Sequence, residues 1–155
     1  MKKILTLLII LVTISCKKDP SEEELNKIVY NESQILGRWV YESVKLNGIL
    51  SPYNHRCKTK DAFYFRNRPG RHHQYDENLF NANCSATSAT TTWRMDGDNL
   101  ILRGPKDSYY KIIRLNETNF DVSVTVDFDG DGKLDKVEIY AVKGNCEKND
   151  PNCEY

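Results

Sequence analysis

From residue 119 to 128 the chain reads NFDVSVTVDF, with Phe120, Val122, Val124, Val126 and Phe128 at every second position. A period of two puts such a row on one face of an extended strand, whereas a helix would scatter it around its circumference. The same alternation, cut by turn residues, recurs along the chain. GRWVYESVKLNG (37–48) sets Val40, Val44 and Leu46 against Trp39, Tyr41 and Ser43 and stops at Asn47-Gly48. DAFYFR (61–66) runs toward Pro69-Gly70, and HHQYDE (72–77) reads as a weaker strand. TTTWRMDGDNLILR (90–103) is a hairpin around Asp96-Gly97, followed by SYYKIIRL (108–115) and KVEIYAV (136–142). The predicted fold is all-β, a small up-and-down antiparallel barrel of about eight strands in meander order.

With 155 residues, the chain has room for one such domain and a leader but not for a second domain. Its 22 basic and 22 acidic residues cancel, so no bulk field gathers nucleic acid, which is not an expected partner.

The N-terminus, MKKILTLLIILVTISCKKD, has two lysines, an apolar run over 4–14 and a small residue, Ser15, before Cys16. This is the pattern of an export signal over residues 1–15. As a helix, the run rises only about 16 Å, roughly half the hydrocarbon thickness of a bilayer, too short for a permanent span. TISC resembles the lipobox of bacterial lipoproteins, with Thr13 where that family usually has Leu. The resemblance implies that Cys16 is acylated, carries palmitate-type chains and anchors the protein to the outer membrane. Residues 16–34 then form an acidic tether, with a short helix over 22–30 capped by Ser21 and Glu24. SEEE (21–24) is similar to the acidic export tags of surface lipoproteins in the Bacteroidetes, so either the cell surface or the periplasmic face fits.

Setting Cys16 aside leaves Cys57, Cys84, Cys146 and Cys153, an even number that in an exported chain reads as two disulfides. Of the three pairings, Cys57 with Cys84 and Cys146 with Cys153 is favoured, because the latter encloses only EKNDPN, a turn-forming segment. A zinc site using these cysteines with His55, His72 or His73 fits poorly. No two cysteines have ligand spacing, and adjacent His72 and His73 would leave a strand on opposite faces.

ILGRWVYESVKLNG, with Gly37 and Trp39 in a Gly-x-Trp arrangement, resembles the opening of lipocalin-like domains. The order that follows, from CKTKDAFYF through Cys84, Trp93, DGDNLIL and YKIIRLNETNF, is similar to small lipocalin-like domains of Bacteroidetes lipoproteins. The resemblance, taking in residues 35–143 of a β domain over 35–155, supports the Cys57–Cys84 pair and implies that Trp39 plugs one barrel end. The family's arginine over that tryptophan is missing, since residues 135–144 hold only lysines. A barrel this narrow is either filled by side chains or holds one small apolar ligand.

The remaining motif is DFDGDGKLDKVE, 127–138. Read as an EF-hand-like loop it supplies oxygens from Asp127, Asp129, Asp131, the Lys133 carbonyl, Asp135 and Glu138, with Gly132 at the sharp turn and Leu134 as the apolar anchor. A plain turn gains nothing from gathering like charges unless a cation offsets them, so the motif predicts Ca2+. Strands flank the loop where an EF-hand has helices. Glu138 in a strand then points away, leaving the four aspartates as the firmer ligands.

No phosphate-binding glycine loop, HExxH or G-x-S-x-G is present. The expected function is therefore a non-enzymatic, calcium-binding envelope lipoprotein that binds a small apolar ligand or an envelope protein. A second reading, a calcium-dependent hydrolase of envelope or extracellular polymers, requires convergent acids or histidines away from the hairpin tip. A third makes it an inhibitor or accessory subunit with exposed loops such as PGRHHQYDENLFNANC (69–84).

Overall fold

A computed structural model describes residues 30–51 and 55–145. A four-residue helix, α1 (Glu32–Ile35), leads into β1 (Gly37–Leu46), β2 (Ile49–Ser51), a 3-10 turn (Lys58–Lys60), β3 (Ala62–Arg68), β4 (Arg71–Phe80) and β5 (Ala86–Asp96). The series ends with β6 (Asn99–Leu102), β7 (Ser108–Leu115), β8 (Asn119–Val126) and β9 (Asp135–Lys143). Every neighbouring pair is antiparallel, and β9 returns to β1, closing an eight-strand barrel. The short β2 is a ninth strand outside that ring. It takes the upper part of the β1 edge, Val44 to Leu46, while β3 takes the lower part from Gly37 to Val40.

Turn chemistry fixes the register where the sequence was most explicit. Asn47 and Gly48 have φ of 50° and 82°, the left-handed pair of a two-residue hairpin turn, with Leu46 opposite Ile49. Strand β4 is longer than its polar sequence suggested, because its side chains find partners on other strands. On the outer face Asp76 pairs with Arg66 of β3, only 1% exposed, and accepts from Gln74 and from Thr90 of β5. In β8, Phe120, Val122 and Val124 are buried as the alternation predicted, but the strand ends at Val126 and Phe128 is exposed in the loop beyond.

Strand directions give the barrel two unlike ends. One, here called the base, gathers α1 and the β3–β4, β5–β6 and β7–β8 turns; the other, the mouth, gathers the β1–β2 turn and the β4–β5, β6–β7 and β8–β9 connections. At the base, Asn31 caps α1: its side chain accepts from Ser33 N at 3.0 Å, and its own N–H donates to Gln34 Oε1 at 2.9 Å. That holds Ile35, fully buried, against Trp39, whose indole N–H donates to the Ile35 carbonyl at 2.7 Å. Above it stacks the aromatic core. Trp39 lies 5.4 Å from Phe120, and Phe65 meets Trp93 edge-on at 5.5 Å, the arrangement that aromatic quadrupoles favour.

Candidate functional site

Two groups of polar side chains lie toward the mouth, one inside the barrel and one on its rim. The inner group follows from the period of two. Tyr41 is two residues beyond Trp39 on β1, Tyr75 and Glu77 are two apart on β4, and Tyr110 enters from β7. Together with Phe63 and Phe120 they line a cavity of about 40 Å³, room for a few waters. The interior is thus mostly filled by its own aromatics.

Within this pocket the Tyr41 hydroxyl donates to Glu77 Oε1. Burial, with Tyr75 and Glu77 nearby, holds the Tyr41 phenol well above its usual range. Burial does the same to Tyr75, and burial with the nearby Glu77 carboxylate raises Tyr110. All three phenols therefore stay neutral donors around one carboxylate. Glu77 went unremarked in the sequence because Asp76 beside it looks equivalent. A signal was present: Tyr75 and Leu79 mark the more apolar face of β4, and Glu77 lies between them.

The rim group is the β8–β9 loop. Asp127, Asp129 and Asp131 each offer one carboxylate oxygen, and these lie within 4.8 Å of one another. That span suits one ion, since oxygens held about 2.4 Å from a single Ca2+ can be at most about 4.8 Å apart. Gly130 and Gly132, at φ of 79° and 85°, let the backbone double back so that their N–H groups reach Asp127 at 2.8 and 3.1 Å. Asp131 accepts from Lys133 N at 2.8 Å and Lys133 Nζ at 2.9 Å, and these bonds hold its carboxyl below the usual carboxylate range.

The other predicted ligands go elsewhere. Asp135 accepts from Asn47 Nδ2 at 2.7 Å and Phe128 N at 3.2 Å, tying the loop to the β1–β2 turn. Glu138 lies on the outer face of β9, paired with Lys136 at 2.6 Å, which lowers the carboxyl pKa and raises that of the lysine. Leu134 is 72% exposed, because two strands offer the loop no apolar surface to sit on.

The mouth is also stapled. Cys57 and Cys84 form a disulfide, Cα–Cα 5.6 Å, joining the β2–β3 connection to the β4–β5 turn. Beside it, buried Asp61 accepts from Phe80 N at 2.7 Å and pairs with His55 Nε2 at 2.8 Å. The histidines do not converge: His72 meets Asn67, and His73 meets Glu32 and the Trp93 ring. Cys16, Cys146, Cys153 and residues 22–29 of the predicted helix lie outside the described residues.

At the base, Lys143 of β9 sits opposite Trp39, with its Nζ 4.3 Å above the indole ring and donating to the Leu36 carbonyl. A lysine therefore covers the tryptophan where the sequence lacked an arginine.

The model of the lipocalin-like domain matches residues 35–145. Among solved structures, the chain is similar to a lipocalin-like protein from Bacteroides uniformis, with a TM-score of 0.51 at 8% identity over 72% of this chain and 99% of that one. It is also similar to bovine odorant-binding protein in complex with a selenium-containing odorant, with a TM-score of 0.48 at 14% identity over 77% of this chain and 80% of that one. No curated protein matches the chain in sequence.

Proposed function

The chain belongs to the lipocalin-like domain family, and from that premise we propose that it is a non-enzymatic binding protein whose barrel mouth takes one small, largely apolar molecule. The observation that carries this reading is the pocket in which Glu77 and three tyrosine hydroxyls interrupt an otherwise apolar lining. Apolar lining with a few convergent polar groups is the usual composition of a small-molecule site. A hydrolase reading has less support, because this interior carboxylate is surrounded by neutral phenols and has no second acid or base beside it in the pocket lining.

A cavity this small takes only the end of a ligand, with the remainder at the mouth, and for about ten non-hydrogen atoms in all Kd falls in about the micromolar to millimolar range. Trp39 and Trp93 are both buried and serve as reporters. Titration with small aromatic alcohols, amines and acids is expected to shift their fluorescence saturably for at least one class. No shift with any of them would overturn the reading.

We further propose that the rim loop binds Ca2+ through Asp127, Asp129 and Asp131, with the Lys133 carbonyl and Asp135 next along the loop and Glu138, paired with Lys136, outside the set. The support is the mutual approach of the first three carboxylates. The ion would neutralise their crowding and hold the β8–β9 hairpin shut. Extracellular calcium sites have Kd of about 10⁻⁴ to 10⁻³ M, so calcium at tenfold above Kd should add about 1.4 kcal/mol of stability. Calorimetry with and without chelator tests this, and Asp129→Asn with Asp131→Asn should abolish the gain. Acylation at Cys16 and outer-membrane anchoring complete the proposal, and labelling with a palmitate analogue should be lost in Cys16→Ser.

A further inference from the structure

Resting on the reading of the barrel mouth as a ligand site, we propose that Glu77, with Tyr41, Tyr75 and Tyr110, is the subsite for the charged end of a small primary amine.

The argument begins with Glu77 itself. Half-buried in a cavity walled by aromatic and aliphatic side chains, it makes no ion pair among the described residues. Its sister carboxylate Asp76, on the outer face, is paired with buried Arg66. The chain thus compensates one of two adjacent carboxylates with a cation and leaves the other with phenol donors alone. Hydrogen bonds satisfy a carboxylate's lone pairs but do not supply a counter-charge.

The lining supplies what an ammonium group seeks. The Tyr41 and Phe63 rings meet edge-on at 5.1 Å, Phe63 lies 6.3 Å from Tyr75 and 5.7 Å from Phe120, and Tyr110 lines the same cavity. Aromatic rings beside a carboxylate make a site that attracts a cation and repels an anion. The phenol oxygens add acceptors for N–H groups not directed at Glu77.

Size narrows the class. A cavity of about 40 Å³ accepts an ammonium head and its first carbons in place of water, but not a trimethylammonium head. The apolar remainder of the ligand would extend toward the mouth.

The test titrates the full chain at neutral pH and constant ionic strength with three probes of similar shape: 2-phenylethylamine, 2-phenylethanol and 3-phenylpropionate. Tryptophan fluorescence and calorimetry supply the readouts. The amine is expected to bind about tenfold or more tightly than the alcohol, with the acid weakest. In Glu77→Gln the ratio of amine to alcohol affinity should collapse to about one. Equal affinities in the wild type, a preference for the acid, or an amine preference that survives Glu77→Gln would overturn the subsite. If Glu77→Gln does not fold, the wild-type ranking decides, together with N,N,N-trimethyl-2-phenylethylammonium, which should bind at least about tenfold more weakly than the primary amine. Failure of all the probes to bind counts instead against the ligand-binding reading. Binding of the alcohol without an amine preference leaves that reading standing and removes only the subsite.

Discussion

The two ends of the barrel are built from different interactions. At the base, α1, Trp39 and the β9–β1 closure join through close packing and backbone partners, with Ile35 and Trp39 wholly buried. At the mouth, a disulfide, buried Asp61 and the Asp135–Asn47 bridge hold segments that bury little apolar surface, and Ile49, Leu50, Phe128 and Leu134 are all exposed. A barrel end that gives up packing to leave a polar pocket must be tied in other ways. The base accordingly draws its stability from packing, and the mouth from covalent and polar ties.

The largest effect should come from breaking the base. Trp39→Ala removes a wholly buried indole and leaves the Ile35 carbonyl without its donor, so the loss is expected at about 3–5 kcal/mol in urea unfolding. A loss below about 1 kcal/mol would mean that the base is not the stabilising end.

Next comes the staple at the mouth. The Cys57–Cys84 bond closes a loop with a sequence separation of 27, which the chain-entropy relation converts to about 3.5 kcal/mol. Replacing both cysteines by serine should cost up to that amount. The place of the loss sharpens the contrast. Faster hydrogen exchange is expected in residues 55–61 and 81–85, while the amides of α1 and of the Trp39 segment stay protected. Uniform acceleration at both ends would mean that they unfold as one unit.

What the sequence disclosed divides along the same line. Strand order, the Asn47-Gly48 and Asp96-Gly97 turns and the buried row of β8 were legible because they depend on local chemistry: alternation, and residues tolerant of positive φ. The gathering of Asp127, Asp129 and Asp131 was legible for the same reason, since their spacing and the intervening glycines form a single turn. Features that need a second strand were hidden. The HHQYDE run looked weak because the partners of Asp76 and Glu77, namely Arg66 and Tyr41, are distant in sequence. Lys143 looked like a missing arginine because only the β9–β1 register brings it over Trp39. Asp135 reads from the sequence as a loop ligand, whereas the β1–β2 turn brings Asn47 to its carboxyl; Glu138 faces away from the loop, as its place in a strand implies.

The smallest expected effect distinguishes the ends by the sign of their response to alkali. Tyr41, Tyr75 and Tyr110 have folded-state pKa values raised above the ordinary value of 10.0. The unfolded chain therefore releases these protons first. The stability they contribute is complete below about pH 10 and is lost as pH climbs through the folded values. Lys143 at the base behaves oppositely: burial lowers its pKa below 10.5, the unfolded chain holds the proton longer, and rising pH favours the folded base. Tyr110→Phe removes one of the three mouth hydroxyls while keeping its ring. At pH 11, one unit above an unfolded tyrosine, it should recover up to about 1.4 kcal/mol of the alkaline loss, with no such gain at pH 8. Urea midpoints measured at both pH values decide the matter. A variant that tracks the wild type through pH 11 would mean that Tyr110 ionises freely in the folded barrel, and that the mouth is wetter than its aromatic lining implies.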